Sequence, residues 1–325
     1  MMMSNQGKSA NRQLADMLLP NLYRACNGHL SEVHWFRADW QRGGAATGRA
    51  TWQVANGPPR DVMVKFPIRA RELLWMRRLQ HPSDNQLPVV PHLYASGSSL
   101  ESYDLAWIVI EWLPFGPLGK RWHVDHVKRT AEAVTRFHKE ADEFPVETEK
   151  AKREDWNALH ENALKSVKRN HIAEEAQWLT LLDKLADALP DMVTQWRSRE
   201  TDHWIHGDLH LANALSRNAA ESGDVTLIDL AEVRPGHWIE DAVYLERRLW
   251  ARPERLEQAR PVRTIAQARK DAGLATEPHY EQLADIRRAL MAATAPAFMK
   301  TEGHPRFLAA CREQLLQALN RINQA

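Results

Sequence analysis

The stretch Trp204-Ile205-His206-Gly207-Asp208-Leu209-His210-Leu211-Ala212-Asn213-Ala214-Leu215 carries two polar side chains of chemical interest, Asp208 and Asn213, five residues apart. Beyond it come a short apolar run at 214–216, a polar turn over 218–224 and a second apolar run at 225–229, the pattern of two short strands joined by a turn. Two strands that meet in such a hairpin bring the ends holding Asn213 and Asp229 side by side. An amide oxygen and a carboxylate at that separation suit Mg²⁺, a hard cation that takes few protein ligands and keeps phosphate and water oxygens around it. Asp208, upstream on the same loop, is then left to act on a hydroxyl. Taken singly, each of the three reads more simply as a cap or turn former. Their order, between apolar strand residues, is what gives them a joint meaning: Asp, four residues, Asn, hairpin, Asp is the layout of kinase-type phosphoryl transfer.

Working outward toward the N-terminus, Val62-Met63-Val64-Lys65-Phe66 sets a lysine in the middle of an apolar strand. A lysine is rarely buried without a partner, so Lys65 calls for a carboxylate or a phosphate unless it faces solvent on a sheet edge. Glu72, seven residues on in a helix predicted over 69–79, is the available carboxylate. Two further strands are predicted at 33–40 and 50–54, joined by a turn that contains Gly43, Gly44 and Gly48 and that could cover phosphates. A helix is expected over 11–26, interrupted at Pro20, and another strand over 105–111. After Leu113-Pro114-Phe115-Gly116 the chain turns mainly helical. Helices are expected over 123–139, over 156–199 as one or two pieces with Pro190 at a break or first turn, and over 307–322. The predicted organisation is therefore α+β, with a small strand-rich lobe (1–111, with an N-terminal helical extension), a linker (112–119) and a larger helical lobe (120–325).

Composition narrows the class. The 325 residues carry 43 Lys+Arg against 42 Asp+Glu, a net charge of +1 that offers no global attraction to nucleic acid or membrane. Two cysteines, Cys26 and Cys311, make neither a zinc ribbon nor a disulfide framework. The N-terminus lacks the apolar core of a signal peptide, and no uncharged apolar run is long enough to span a bilayer, so a cytoplasmic protein is expected. Near-neutrality is a cancellation. Residues 206–241 carry a local net of −5, and residues 246–271 a net of +4.

The motifs resemble those of the aminoglycoside phosphotransferase and choline kinase branch of the protein-kinase-like fold. HGDLHLAN (206–213), LIDLAEVRPGHWIEDAVYL with Asp229, Gly236 and Asp241, VMVKF around Lys65, RELLWMRRL around Glu72, GGAATGRATW and WIVIEWLPFGPL follow the order of that family over residues 30–245. The resemblance implies a bilobal kinase-like fold and transfer of the γ-phosphoryl group of ATP, or another nucleoside triphosphate, to a hydroxyl of a small molecule. It assigns Lys65 to the α- and β-phosphates with Glu72 orienting it, Gly43 and Gly44 to the phosphate-covering turn, and Glu111 and Leu113 to the backbone edge that reads adenine. Asn213 and Asp229 would hold one or two Mg²⁺, and Asp208 would accept or orient the hydroxyl proton. His206 and Asp241 are expected to brace the loop, while His210 could touch phosphate or pack.

Two rivals are weighed against this. A zinc-dependent hydrolase could use His203, His206, Asp208 and His210, although Gly207 and the short strands argue for a loop in place of a metal-binding helix face. A non-catalytic kinase relative would serve as a binding or regulatory module, yet such proteins commonly lose the metal aspartate or the base, and all four key residues stand. The acceptor is left open by fold analogy. If part of the basic excess at 246–271 faces it, a neutral or anionic hydroxyl compound is favoured over a polycationic aminoglycoside; the bland alternative is a solvated helix face.

Overall fold

A computed structural model describes residues 4–37, 45–80, 87–218, 223–322 and 324. In chain order its elements are α1 (Ser4–Ala25), β1 (Leu30–Arg37), β2 (Ala46–Trp52), β3 (Arg60–Ile68), α2 (Ala70–Arg78), β4 (Leu93–Gly97) and β5 (Ala106–Glu111). Then follow α3 (Val124–Ala141), α4 (Trp156–Arg169), α5 (Glu175–Arg197), β6 (His203–Ile205), β7 (Ala214–Ser216), β8 (Val225–Leu227) and β9 (Arg234–Gly236). The remainder is helical: α6 (Trp238–Arg247), α7 (Pro253–Ala259), α8 (Pro261–Asp271), α9 (Tyr280–Thr294), α10 (Met299–Glu302) and α11 (Pro305–Ile322). The chain divides into two compact units, Met1–Leu118 with Ala212–Val233, and Gly119–Leu211 with Arg234–Ala325. The 212–233 segment, expected from sequence within the helical lobe, thus groups with the strand-rich unit.

The first unit is built on a sheet of order β1-β2-β3-β5-β4 with every neighbouring pair antiparallel. The alternation of β3 divides its side chains between two faces. Val62, Val64 and Phe66 join a core with Leu18, Leu22 and Cys26 of α1 and its C-terminal turn, and with Trp107 and Val109 of β5. Burying each such large apolar side chain contributes about 1.5–3 kcal/mol, so the N-terminal helix is part of this unit's core. The opposite parity, Met63 and Lys65, falls on the other face of the strand. β4 has no counterpart among the predicted strands. It is a short edge strand whose five residues are all half-buried, so it shows no alternation to detect.

Gly48, read from sequence as a turn residue, lies inside β2 opposite Trp35. A Cβ there would stand 2.8 Å from the Trp35 ring, so glycine is required by the ring's approach and not by a turn. Gly43 and Gly44 lie outside the described residues. Pro20 and Pro190 do not break their helices as expected, but sit within α1 and α5. Both are exposed, as are Asp16 and Ala186 four residues earlier, so the carbonyls that lose a helical donor can turn to water. The predicted 156–199 region resolves into α4 and α5, separated at Glu174, which adopts a left-handed φ of 61°.

In the second unit, α3 lies against α8, and α9 against both α11 and α6. A two-stranded ribbon, β6 with β9, pairs His203 with Gly236 and Ile205 with Arg234. It places the loop leaving β6 beside the first turn of α6. That turn is fixed by a capping box in which the His237 ring accepts from the Ile239 amide while Glu240 accepts from the His237 amide. Among the described residues no helix is long and apolar enough to cross a membrane.

Candidate functional site

Within the strand-rich unit the pleat of β3 and the start of α2 settle the geometry of Lys65. β3 ends at Ile68 and α2 begins at Ala70, so one residue separates them and Glu72 falls in the helix's first turn. The Lys65 ammonium lies 2.7 Å from Glu72 Oε1 and 3.3 Å from Asp229 Oδ1. Burial works against the charge on Lys65, but the two carboxylates outweigh it and hold the pKa above the ordinary lysine value. Glu72 is itself 3% exposed, so the pair is sheltered from solvent screening.

The β7–β8 hairpin places the other two polar groups. Ala214 pairs with Leu227 and Ser216 with Val225, and the Ile228 amide donates to the Asn213 carbonyl at 3.0 Å. Asn213 and Asp229 therefore flank the open end of one hairpin. Asn213 is buried, whereas the Asp229 side chain is 43% exposed. Asp229 adopts a left-handed conformation, φ 64° and ψ 63°, which costs a non-glycine residue roughly 1–2 kcal/mol and aspartate less than most. The chain after it is held by α2 and the residue that caps it: Arg71 donates to the Val233 carbonyl at 3.1 Å and Arg69 pairs with Glu232. One amide oxygen and one carboxylate, both hard donors, fit a Mg²⁺ ion that keeps phosphate oxygens in its remaining positions.

Glu111 closes β5, paired across from Val62. Its carboxylate is held by Arg217, whose Nε lies 2.8 Å from Oε1 and whose Nη2 lies 2.7 Å from Oε2, a bidentate contact. Arg217 also donates to Thr226 Oγ1 at 2.8 Å, so the β7–β8 hairpin is tied to the end of β5. Trp112 donates its amide to the Asp61 carbonyl. Among the described residues the Leu113 amide and carbonyl enter no backbone hydrogen bond.

The helical unit holds Asp208 and its supports. Gly207 takes a φ of 78°, a left-handed position natural to glycine. The fully buried Asp241, on the first turn of α6, accepts from the His206 amide at 2.9 Å and the Gly207 amide at 2.8 Å. His138 of α3 stands 3.0 Å from the same carboxylate through Nε2, and Arg269 of α8 donates to His138 Nδ1 at 3.1 Å. A guanidinium can only donate, so Nδ1 is the acceptor and Nε2 carries the proton that Asp241 receives. Burial lowers the His138 pKa and Arg269 adds to the effect, consistent with a neutral ring. Burial alone would raise the Asp241 carboxyl, but His138, His206 and the Gly207 amide hold it below the ordinary aspartate value. Asp208 itself is bordered by His210, whose Nε2 is 3.6 Å from Oδ2, and burial together with the Asp208 carboxylate pushes the Tyr244 hydroxyl up to about 12.

Asp241→Asn tests the bracing. An amide keeps the shape but loses the charge that two amides and an imidazole N–H address, at about 1.5–3 kcal/mol per charged hydrogen bond. The expected result is a lower thermal midpoint together with lower turnover. In the wild type the contribution is present at pH values above the ordinary aspartate range and disappears as pH falls through the still lower folded value, so acid melts should lose the wild-type advantage.

Sequence reasoning missed Arg217, His138, Arg269 and Tyr244. Their partners lie far along the chain, and nothing in the local pattern marks them. The zinc alternative finds no support in the geometry. His203 turns its Nδ1 to Asp142 at 3.0 Å, and the His206 Nδ1 accepts from the Asp208 amide at 3.3 Å. Among the described residues no group of three or more His, Cys, Asp or Glu is placed to hold a metal ion.

The profile of a family described as the phosphotransferase enzyme family matches residues 40–286. No curated protein sequence matches the chain. Among solved structures, the chain is similar to an aminoglycoside phosphotransferase from Alicyclobacillus acidocaldarius subsp. acidocaldarius, at 18% identity and a TM-score of 0.54 over 91% of this chain and 92% of that one. It is also similar to a choline/ethanolamine kinase family protein from Mesorhizobium loti, at 12% identity and a TM-score of 0.55 over 96% of this chain and 100% of that one. A third, a spectinomycin phosphotransferase in complex with ADP and spectinomycin, gives 10% identity and a TM-score of 0.52 over 95% and 93%. At these identities the likeness shows the fold, which is α+β and protein-kinase-like.

Proposed function

The chain belongs to the phosphotransferase enzyme family, and from that premise we propose that it moves the γ-phosphoryl group of ATP, or another nucleoside triphosphate, to a hydroxyl of a small molecule. The observation that carries this reading is the Lys65 ammonium set between Glu72 and Asp229, beside the hairpin that also holds Asn213. Lys65 binds the α- and β-phosphates, and Glu72 fixes its direction. Asn213 and Asp229 would hold Mg²⁺, which when bound neutralises charge on the phosphates. The backbone at Glu111 and Leu113 lines the base, with Arg217 fixing the Glu111 carboxylate away from it. The spectinomycin phosphotransferase was solved with ADP, which supports a nucleotide as the donor.

In the transfer, the acceptor oxygen forms a bond to the γ-phosphorus as the bond from that phosphorus to the β–γ bridging oxygen breaks. The nucleoside diphosphate leaves with that electron pair, and the acceptor's proton passes to the Asp208 carboxylate. Asp208 orients the hydroxyl first, and most of the rate comes from such positioning and from electrostatics. The buried, free thiols of Cys26 and Cys311 suit the reducing cytoplasm, where we place the protein.

Lys65→Met removes the ammonium and leaves Glu72 buried without its partner. Titration calorimetry should show nucleotide affinity reduced roughly 10- to 100-fold, the value of one or two charged hydrogen bonds, with a lower thermal midpoint. The function itself is tested by coupled ADP release over aminoglycosides, choline, sugars, homoserine and nucleosides, with Mg²⁺ and with a chelator. Acceptor-dependent release that disappears on chelation is expected; its absence over the whole panel rejects the reading.

A further inference from the structure

The helical unit buries a cation for which the chemistry above has no use. Arg269 of α8 is 3% exposed, and among the described residues no carboxylate is in contact with it. Burial draws its pKa down to about 10, while Glu277, Asp142 and Asp241 act on it only through space, so it stays charged at neutral pH. Burying a charge with no opposite charge in contact is costly, and an apolar side chain of similar volume would fill the same space at lower cost. The hydrogen bonds show what the charge achieves. Nε and Nη2 both donate to the Ala275 carbonyl, at 3.1 and 2.9 Å, and the guanidinium lies over the Trp238 ring at 5.3 Å. With its plane held there, Nη1 meets His138 Nδ1 at 3.1 Å.

The ring beneath the guanidinium is itself fixed. Trp238 opens α6, its indole donates to Glu277 Oε2 at 3.0 Å, and the same carboxylate lies 3.1 Å from His237 Nε2. His237 Nδ1 already accepts from the Ile239 amide, so Nε2 carries the proton there. Burial would raise the Glu277 carboxyl, but His237 and Trp238 bring it down to about 2. The connection between α8 and α9 thus grips the first turn of α6, which bears Asp241. On the other side, His138 Nε2 donates to Asp241 at 3.0 Å, and Asp241 accepts the His206 and Gly207 amides that lead into Asp208.

We infer that Arg269 is a positioning residue for the loop that bears Asp208: by donating to His138 Nδ1 it holds the imidazole in its Nε2–H tautomer, and that proton fixes the Asp241 carboxylate against the loop's amides. This rests on the phosphotransferase reading and adds a residue to it. In the other neutral tautomer the Nε2 lone pair would face a carboxylate oxygen at 3.0 Å, two acceptors in contact, and Asp241 would lose its imidazole donor. A ring without Arg269 has one other way to keep that donor, which is to take up a proton at Nδ1. The wild type opposes this: burial lowers the His138 pKa, and the Arg269 charge adds to the effect against the pull of Asp241. The charged groups acting on the ring are Asp241 from α6, Arg269 from α8 and Asp142 just past the end of α3, with His203 of β6 paired to Asp142 at 3.0 Å. His206, on the loop itself, acts on Asp241. Removing Arg269 leaves two carboxylates acting on the ring, so its pKa rises.

The experiment begins with the wild type. Nitrogen-15 NMR of the histidine-labelled protein, with His138→Gln to assign the ring, should show His138 as the neutral Nε2–H tautomer at pH 7. Phosphoryl transfer is then followed as ADP release with Mg·ATP and the panel of aminoglycosides, choline, sugars, homoserine and nucleosides, in wild type, Arg269→Met and Arg269→Lys. Arg269→Met should lower kcat about 10- to 100-fold and leave KM for ATP unchanged, because Lys65, Asn213 and Asp229 belong to the other unit. Its deficit relative to the wild type should shrink as pH falls from about 8 to about 5.5, because a protonated ring regains Nε2–H. Arg269→Lys, which keeps a cationic donor, should restore part of kcat. A wild-type ring found as the Nδ1–H tautomer or as imidazolium at pH 7, an Arg269→Met protein with the wild-type kcat, or one whose deficit is the same at every pH overturns the inference and leaves the phosphotransferase reading standing. Should Arg269→Met fail to fold, the state of the ring in the wild type alone decides. No acceptor-dependent ADP release by the wild type over the whole panel overturns both.

Discussion

Asp208→Ala is expected to lower turnover about 10²–10⁴-fold, the usual value of a positioned general base, with affinity for Mg·ATP unchanged. The separation follows from how the loop is held. Its amides at His206 and Gly207 are fixed by Asp241, which His138 bonds in turn and Arg269 holds through His138, so these contacts do not run through the Asp208 carboxylate. Lys65, Glu72, Asn213 and Asp229 belong to the other unit and keep their contacts. Removing the carboxylate leaves the contacts of Asp241 with the His206 and Gly207 amides in place. Single-turnover phosphoryl transfer and a nucleotide titration on the same preparation check this. Loss of nucleotide binding together with turnover would move Asp208 out of the role of base.

Asp229→Ala should be more damaging, because one substitution acts on charge, metal binding and backbone together. It removes the carboxylate proposed to hold Mg²⁺ and one of the two that stabilise the Lys65 ammonium. It also leaves alanine at a φ of 64°, a conformation aspartate tolerates better. Turnover should fall on the order of 10²–10³-fold or more, and nucleotide affinity should become insensitive to Mg²⁺. Asp229→Asn separates the contributions, since it retains an oxygen donor and the local conformational preference while losing the charge. If it binds Mg·ATP as the wild type does, charge at this position is not what holds the metal.

What the sequence revealed and what it concealed divide by the distance along the chain over which partners meet. Asp208, Asn213 and Asp229 are legible as a set because one loop and one hairpin carry all three. The Lys65–Glu72 contact is legible because β3 and α2 are nearly continuous, so a seven-residue interval suffices to join them. The Arg217–Glu111 pair spans 106 residues, and the Arg269–His138 contact 131. Both are fixed by packing that no local pattern encodes. β4 was invisible because an evenly half-buried edge strand has no polar alternation. Pro20 and Pro190 misled because a proline's cost depends on which side of its helix meets water, and spacing alone does not say. The basic segment after α6 posed a question that spacing could not answer, because Arg263 and Arg269 find their partners, Glu281 and His138, outside it.

The proposed phosphoryl transfer to a hydroxyl runs through Asp208. Phosphorus NMR of the wild type and Asp208→Ala with Mg·ATP and the acceptor panel measures it directly. The wild type should convert the γ-phosphorus resonance into a phosphate-ester resonance with an equal amount of ADP, and Asp208→Ala should leave ATP bound and largely unconverted. A wild type that forms no ester, or an Asp208→Ala protein that forms it at the wild-type rate, would contradict the account.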